Sequence, residues 1–327
     1  MLPAVSIILP VFNESGYLEP CLASLEAQAY GGPIEIVVAD GRSTDGTRQA
    51  LEAFAAEGRI VLVDNPERRQ WSGLNRAAEQ ATGEILVRVD GHAVYSPDYV
   101  GASVAALEES GATAAGGRMI PESDTPVGRA VVSAMASAWA VGPARYRHQT
   151  HRSLVDTVYL GAYRAADFVR LGGYRDLPGV AEDADLYYRW RRQGATILLD
   201  PAIQSTYRPR TAFRAVARQY FRYGWGKADM LYANRTLPSL RPLAPLGLLL
   251  GLLGTAALGT IAGIWWPSLA LLAAWGLVLL WVGVRAGDGP LHRLRTMAVT
   301  ATMQLSFGAG LAGGVARGPG SRRHLQS

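Results

Sequence analysis

The chain has 327 residues, 49% of them apolar and 18% charged, with a formal charge of +5 and one cysteine, Cys21. That length allows one large α/β domain and a smaller region, the low charge is unusual for a wholly soluble protein, and a lone cysteine excludes an intrachain disulfide and suits a reducing compartment. The positive balance suits anionic lipid headgroups or phosphorylated substrates better than nucleic acid, for which no recognition motif is present.

The opening MLPAVSIILPVFNE has no basic leader and too short an apolar run for a signal peptide, so the region after it is expected in the cytoplasm. VSIILP (5–10), IEIVVAD (34–40), RIVLVD (59–64) and EILVRVD (84–90) are short, β-branched and nearly continuously apolar, the pattern of parallel strands buried on both faces. Between them come helical patterns. Tyr17, Leu18, Cys21, Leu22 and Leu25 recur at helical spacing after Ser15-Gly16, and Thr44 or Asp45 is placed to cap a second helix through Leu51 and Phe54. Such an array binds ligands beyond the carboxyl ends of its strands. Polar residues gather there: Pro10, Asn13 and Glu14 after the first strand, Asp40 and Asp45 after the second, Asp90 and His92 after the fourth. Neither a Gly-x-Gly-x-x-Gly turn nor a P-loop is present. A single Asp after a strand is an ordinary turn residue, but several in one array point to a shared crevice. Asp90-Gly91-His92 at the mouth of a buried strand is poor core and good cation-binding chemistry.

Arg68 and Arg69 precede QWSGLN (70–75) and are read either as phosphate contacts or as an exposed loop. His148 and His151 lie in the basic stretch RYRHQTHR (145–152), a candidate loop over a ligand, with no metal role assigned. GVAEDADLYYRWRRQGA (179–195) predicts a helix from Asp183 or its neighbours through Trp190, ended by Gly194. Glu182, Asp183 and Asp185 crowd its N-terminus, where the helix dipole favours the ionised carboxylate. Simple capping and a general base are both open readings of these acids.

TAFRAVARQYFRYGWGKADM (211–230) reads as an amphipathic helix, with Phe213, Val216, Tyr220 and Tyr223 on its apolar stripe and Arg214, Arg218, Arg222 and Lys227 as its charge, suited to an anionic membrane surface. Beyond it come two uncharged runs, about 243–264 and 268–284. They stand above and near the lower end of the span of about 17–25 residues that crosses a bilayer. Trp265, Trp266 and Pro267 between them suit a turn at the interface. A third stretch, about 296–315, is richer in Gly and Thr and either spans or lies against the other two. Arg235 and Arg241 before the hairpin, and Arg285, His292, Arg293 and Arg295 after it, put both ends on the cytoplasmic side; Arg317, Arg322 and Arg323 fall outside if the third stretch spans. The expected division is a domain over 1–230, closed by the 211–230 helix, and a membrane region over 231–327.

Five stretches give the chain its resemblance: VSIILPVFNES (5–15), IEIVVADGRSTDGT (34–47), GLNRAAEQATGEILVRVDGH (73–92), EDADLYYRWRRQG (182–194) and RQYFRYGW (218–225). With them it resembles the family 2 glycosyltransferases of the GT-A fold, over roughly residues 4–230. Asp-x-His, VDTVYLGAYR (155–164) and LDPAIQSTYRPR (199–210) make it most similar to the succinoglycan-biosynthesis glucosyltransferase subfamily. The resemblance implies an α/β, Rossmann-like, mostly parallel sheet followed by transmembrane helices. It also implies a nucleotide-diphosphate sugar donor, for which uridine suits Asp40, and a divalent metal, Mn²⁺ or Mg²⁺. Asp40 would contact the nucleobase, with Pro10 and Glu14 lining the nucleotide pocket and Arg69 near the donor phosphates. Asp90 and His92 take the places of the family's Asp-x-Asp metal signature. Imidazole is an adequate ligand for Mn²⁺ and a poorer one for Mg²⁺, so Mn²⁺ is expected to serve at least as well. The second acid of the family's Glu-Asp pair is its usual base, here Asp183 with Glu182 supporting it. Gln219, Arg222 and Trp225 resemble the Gln-x-x-Arg-Trp motif, Trp225 standing two residues late, with Arg222 expected near the departing diphosphate.

The function so implied is a membrane-anchored, multi-pass, inverting glycosyltransferase in polysaccharide or glycolipid biosynthesis. Its acceptor is expected to be a polyprenyl-linked saccharide at the cytoplasmic face of the cell membrane. The alternatives are a polyprenyl-phosphate sugar synthase, in which the lipid phosphate is the acceptor, and a catalytically silent scaffold that binds sugar nucleotides.

Overall fold

The computed structural model describes residues 1–142, 150–177, 180–236 and 240–318. In chain order its elements are β1 (Val5–Val11), α1 (Leu18–Glu26), β2 (Ile34–Asp40), α2 (Thr47–Ala56), β3 (Val61–Asp64), α3 (Gln70–Gln80), β4 (Ile85–Arg88), β5 (Ala93–Tyr95), α4 (Tyr99–Ser110), β6 (Ala114–Pro121), α5 (Pro126–Met135) and α6 (Ala138–Val141). There follow β7 (Ser153–Leu154), β8 (Tyr159–Arg164), α7 (Ala165–Leu171), α8 (Glu182–Arg191), β9 (Ile197–Tyr207), α9 (Phe213–Asn234), α10 (Leu243–Ala262), α11 (Trp266–Arg285) and α12 (Gly289–Arg317). Packing divides them into two units: Met1–Ile120, Arg145–Asp176 and Glu182–Arg208 form the first, Pro121–Ala144, Leu177–Ala181 and Pro209–Ser327 the second.

The first unit is built on one mixed sheet in the order β3-β2-β1-β4-β8-β6-β9-β5, with β7 beside β9. The first four of these strands are parallel, and β8 then runs antiparallel to β4. Side chains alternate across a strand, and β1 shows the consequence. Ile7 and Leu9 enter a core with Leu22, Leu51 and Leu107, whereas Ile8 enters a second core with Leu74, Leu86, Tyr187 and Trp190. Two buried faces explain why the strands read as continuous apolar runs. The register Val11↔Asp40, Asp40↔Asp64 and Ile8↔Arg88 sets the ends of β1, β2, β3 and β4 along one edge. The chain moves outward from β1 to β2 and β3 and then returns to β4 on the other side, so the crevice between β1 and β4 is the switch point where ligands bind.

Two local expectations are corrected. The cap of α2 is neither Thr44 nor Asp45 but Gly46, at a left-handed φ of 95°. Asp45 acts from one residue further back, its Oδ1 accepting the Thr47 N–H at 3.1 Å and the Thr47 hydroxyl at 2.6 Å. Tyr17 stands outside α1, while Leu18, Cys21, Leu22 and Leu25 form its buried face. The expected helix over the acidic segment is present as α8, closed by Gly194 at φ 88° with its N–H on the Arg191 carbonyl.

The second unit is helical. α9 and α12 pack backbone to backbone: a Cβ on Gly224 would fall 2.0 Å from the Phe307 carbonyl oxygen, and one on Gly310 would fall 2.0 Å from that of Phe221. This interlock places α9 in the second unit, so the division by packing comes at 208/209 rather than at 230/231. α10 and α11 are each 20 residues long and apolar enough to cross a membrane, and only 6% and 17% of their most apolar windows are buried, unlike the core helices of a soluble protein. Gly263 (φ 71°) turns the chain between them, and the Trp265 ring lies against Gly259. The third hydrophobic stretch is part of the 29-residue α12, which lies against α9, α10, α11 and α5.

Candidate active site

The carboxyl ends of the parallel strands carry two loops that are tied together. The Asn13 N–H donates to Ser43 Oγ at 2.9 Å, and Asn13 Oδ1 accepts the Thr44 N–H at 2.8 Å. The N–H groups of Glu14 and Ser15 donate to Thr47 Oγ1 and Asp45 Oδ2. Hydrogen bonds, foremost from the Thr47 hydroxyl, hold Asp45 far below the usual carboxylate range. Asp45 thus organises a loop. Asp40 is fully buried and its carboxylate is engaged: Ser43 donates from Oγ at 2.6 Å and from its backbone N–H, and Arg48 donates at 3.2 Å. Beside it is a cavity of about 350 Å³ lined by Arg42, Ser43, Arg48 and Asp64. Asp40 therefore braces Ser43 and Arg48, which form part of that cavity's wall.

On the other side of the switch point, β4 ends at Arg88 and the chain turns through Asp90, Gly91 and His92 into β5. Tyr95 fixes the turn, its hydroxyl accepting the Asp90 N–H at 2.7 Å and donating to the Asp90 carbonyl at 3.1 Å. His92 Nδ1 lies 3.3 Å from Glu14 Oε1, so the ends of β1 and β4 meet across the crevice. Pro10, level with this turn on β1, packs close to α3: a Cβ on Gly73 would sit 3.0 Å from that of Pro10 and 2.9 Å from Asn65 Nδ2. Arg69 immediately precedes α3, its carbonyl accepting from Gly73 N–H and Asn65 Nδ2 at 3.0 Å each.

The centre of the site is a residue that motif reading passed over. Arg88 is 3% exposed, and a buried charge requires partners. One of its nitrogens is 3.3 Å from Asp90 Oδ1, and the other contacts Asp183 Oδ1. Tyr174 Oη donates to the same Asp183 oxygen at 3.3 Å, and its ring lies 5.5 Å from the guanidinium. Asn75 clamps the Tyr174 backbone on both sides, at 2.6 and 2.9 Å. Gln70, at the start of α3, donates to Asp90 Oδ1 at 3.1 Å. Burial works against the charge on Arg88, yet Tyr174 and Asp90 outweigh it and its pKa is raised. Burial also raises Glu182, against the pull of Arg88 and Arg69. It pushes the Cys21 thiol up to about 12, with Asp90 and Glu14 adding to the effect. Asp185, in the same acidic run, turns inward to Arg175 and Arg189 and is structural.

The structure thus brings Pro10, Glu14, Asp90, His92, Glu182 and Asp183 into the first unit with Arg88, Tyr174 and Gln70, which were not anticipated. A signal for Arg88 was present: it is the one charge inside the apolar run ILVRV. Gln219, Arg222 and Trp225 are on α9 in the second unit. There Gln219 donates to the Tyr223 hydroxyl at 2.9 Å, and the Trp225 ring packs against Phe221 and beneath Arg317. His151 is exposed, and His148 lies outside the described residues.

Asp90 Oδ1 is held by Gln70 and Arg88, whereas Oδ2 takes no hydrogen bond from a described residue. Among the described residues no three His, Cys, Asp or Glu side chains are arranged to hold an ion by themselves. This donor set fits a cation held jointly by one or two side chains, substrate phosphate oxygens and water, as hard divalent ions commonly are.

Residues 6–168 match the family model "Glycosyl transferase family 2". The chain is 28% identical over 310 residues to the succinoglycan biosynthesis protein ExoA of Rhizobium meliloti (strain 1021), covering 93% of this chain and 92% of that one. It is 23% identical to the dolichyl N-acetyl-alpha-D-glucosaminyl phosphate 3-beta-D-2,3-diacetamido-2,3-dideoxy-beta-D-glucuronosyltransferase of Methanococcus voltae, over 69% of this chain and 74% of that one. Among solved structures, the mannosyltransferase PcManGT from Pyrobaculum calidifontis, in complex with GDP-Man and Mn²⁺, shares the fold with a TM-score of 0.58, at 23% identity over 96% of this chain and 87% of that one. The protein carries a family 2 glycosyltransferase domain of the GT-A fold.

Proposed function

We propose that the protein is a membrane-anchored, metal-dependent, inverting glycosyltransferase that moves a sugar from a nucleotide-diphosphate donor, a UDP-sugar, to a lipid-linked saccharide. The observation that carries this reading is that the donor-side carboxylate, Asp90, and the acceptor-side carboxylate, Asp183, flank one buried guanidinium, Arg88. Donor and acceptor chemistry are thereby held in fixed relation, as a direct displacement requires. The nucleobase occupies the cavity beside Asp40, with the donor diphosphate between Asp90 and Arg69. Asp90 and His92 would hold the divalent ion, which would supply charge neutralisation for the leaving diphosphate.

Asp183 accepts the proton of the acceptor hydroxyl as that oxygen attacks the anomeric carbon and the carbon–diphosphate bond breaks. Tyr174 and Arg88 aim its carboxylate. Glu182 supports the same end of α8. One base and one displacement invert the anomeric centre. The lipid-linked acceptor is supported by the exposed apolar surfaces of α10 and α11 and by the dolichyl-linked substrate in the name of the Methanococcus voltae relative. The relative from Rhizobium meliloti supports a place in polysaccharide biosynthesis.

The test is donor turnover by detergent-purified protein across a panel of nucleotide sugars, with Mn²⁺, Mg²⁺ or EDTA, with and without a lipid extract. Metal-dependent transfer from one donor, giving a product of inverted anomeric configuration by NMR, is expected. Transfer with retention, or undiminished transfer in EDTA, would contradict the proposal. Transfer to a bare polyprenyl phosphate that survives Asp183→Asn would favour a polyprenyl-phosphate sugar synthase, because that acceptor is already ionised.

A further inference from the structure

Within the second unit, α9, α10 and α12 leave a cavity of about 530 Å³ between them. Its wall consists of Ala217, Arg218 and Phe221 of α9, Leu249 of α10, and Leu305, Ser306 and Ala309 of α12. The frame around it is tightly fixed. Gly310 brings α12 against the Phe221 carbonyl, and a Cβ on Gly308 would lie 2.5 Å from the Pro245 carbonyl oxygen. Next to these contacts, Ala217, Ser306 and Ala309 are too small to fill the space, so the groove is held open by its own backbone.

Depth and charge identify an occupant. Leu249 lies six residues beyond Leu243, the start of α10, which is about 9 Å of helical rise. With Arg241 just before that helix, this is the upper hydrocarbon of one leaflet, below its headgroups. Arg218 is exposed at the groove's rim, and Arg214, also exposed, precedes it by one helical turn. The groove therefore combines apolar walls with Arg218 at its rim and Arg214 one helical turn away, which is the complement of a phosphate attached to a hydrocarbon chain. A pocket of this size holds a drug-sized molecule, so it takes the phosphate-proximal part of a long chain and leaves the rest in the bilayer. The branched and aromatic side chains Leu249, Leu305 and Phe221 suit a methyl-branched chain.

We propose that this groove binds the isoprenoid chain of a polyprenyl phosphate, with Arg218 and Arg214 meeting the phosphate, and that it docks the lipid end of the acceptor. The inference rests on the reading of the acceptor as lipid-linked, and it gives that reading a place in the second unit.

The test titrates long-chain polyprenyl phosphate, polyprenol and phosphatidic acid into full-length protein in phosphatidylcholine nanodiscs. Binding is compared among the wild type, Ala309→Phe, Ala217→Leu and Arg218→Gln, with melting temperature and nucleoside-diphosphate binding recorded for each. Polyprenyl phosphate is expected to bind more tightly than the other two lipids. Either plug from opposite walls, Ala309→Phe or Ala217→Leu, weakens it at least tenfold, Arg218→Gln weakens it severalfold, and nucleoside-diphosphate binding is unchanged. If one plug fails to fold, the other decides. Equal binding of phosphatidic acid would make the groove an ordinary bilayer-lipid site and overturn the proposal, as would full binding by a folded plugged variant. A wild-type protein that turns over donor yet binds no polyprenyl phosphate refutes only the groove, whereas absence of donor turnover with every acceptor refutes the function.

Discussion

The two units of the chain use burial in opposite ways. The α/β unit buries charge and pairs it: Asp40, Arg88, Asp90 and Asp185 are all buried, and each is held by an oppositely charged partner. The helical unit buries glycine and shows its leucines: Gly224, Gly308 and Gly310 sit inside, whereas Leu250, Leu253, Leu269 and Leu277 are exposed. One unit is arranged for water outside and electrostatics within. The other turns apolar side chains outward and keeps close backbone contact within, the pattern that helices in hydrocarbon adopt. A single hydropathy rule applied to both would misjudge one of them.

The comparison predicts where each unit is brittle. The largest effect on stability is expected at Arg88. Arg88→Met leaves Asp90 and Asp183 facing a buried site without their shared cation, and breaking such a pairing costs about 3–5 kcal/mol, read as a lowered melting temperature and loss of metal-dependent donor binding. Next comes the helical unit, where Gly310→Val drives a side chain into the Phe221 carbonyl. Overpacking costs about 1–3 kcal/mol, so folded yield in detergent falls while nucleoside-diphosphate binding by the surviving protein is retained. If Gly310→Val instead abolished nucleotide binding at unchanged yield, the separation of roles between the units would fail.

The smallest effect is expected at Glu182 and has the opposite sign. Burial raises its pKa above the ordinary value of 4.5, so the ionised form is the disfavoured one. Stability from this group is full below about pH 4.5 and is lost as pH rises through the higher folded value. Glu182→Gln is therefore expected to melt slightly above wild type at neutral pH and to match it under acid conditions. A variant less stable than wild type at neutral pH would mean that the attraction to Arg88 and Arg69 outweighs burial.

Much of the parallel half of the sheet could be read in advance, because strands buried on both faces write themselves as apolar runs: β2 falls where IEIVVAD predicts it, and β1 extends VSIILP by one residue. The positions of Asp90, His92 and Asp183 were legible because each sits at the end of an element that local pattern identifies. Arg88 was not, because its partners are remote. Tyr174 and Asp183 come near β4 only through the antiparallel β8 beside it and the Asn75–Tyr174 clamp. The position of Asp40 at the end of β2 was legible but its partners were not, since pairing with Ser43 and Arg48 is a property of the folded loop. The grouping of α9 with the apolar helices of the second unit was likewise hidden, because it depends on which faces of two glycine-bearing helices meet.

The central claim is that Asp183 takes the acceptor's proton while Asp90 serves the donor. It is tested most directly by measuring donor binding and sugar transfer side by side in wild type, Asp90→Asn and Asp183→Asn. Asp183→Asn should bind donor and metal as wild type does and transfer about 10²–10⁴-fold more slowly, the usual worth of a positioned base; Asp90→Asn should lose metal-dependent donor binding itself. Transfer at the wild-type rate by Asp183→Asn, or equal loss of donor binding in both variants, would contradict the account.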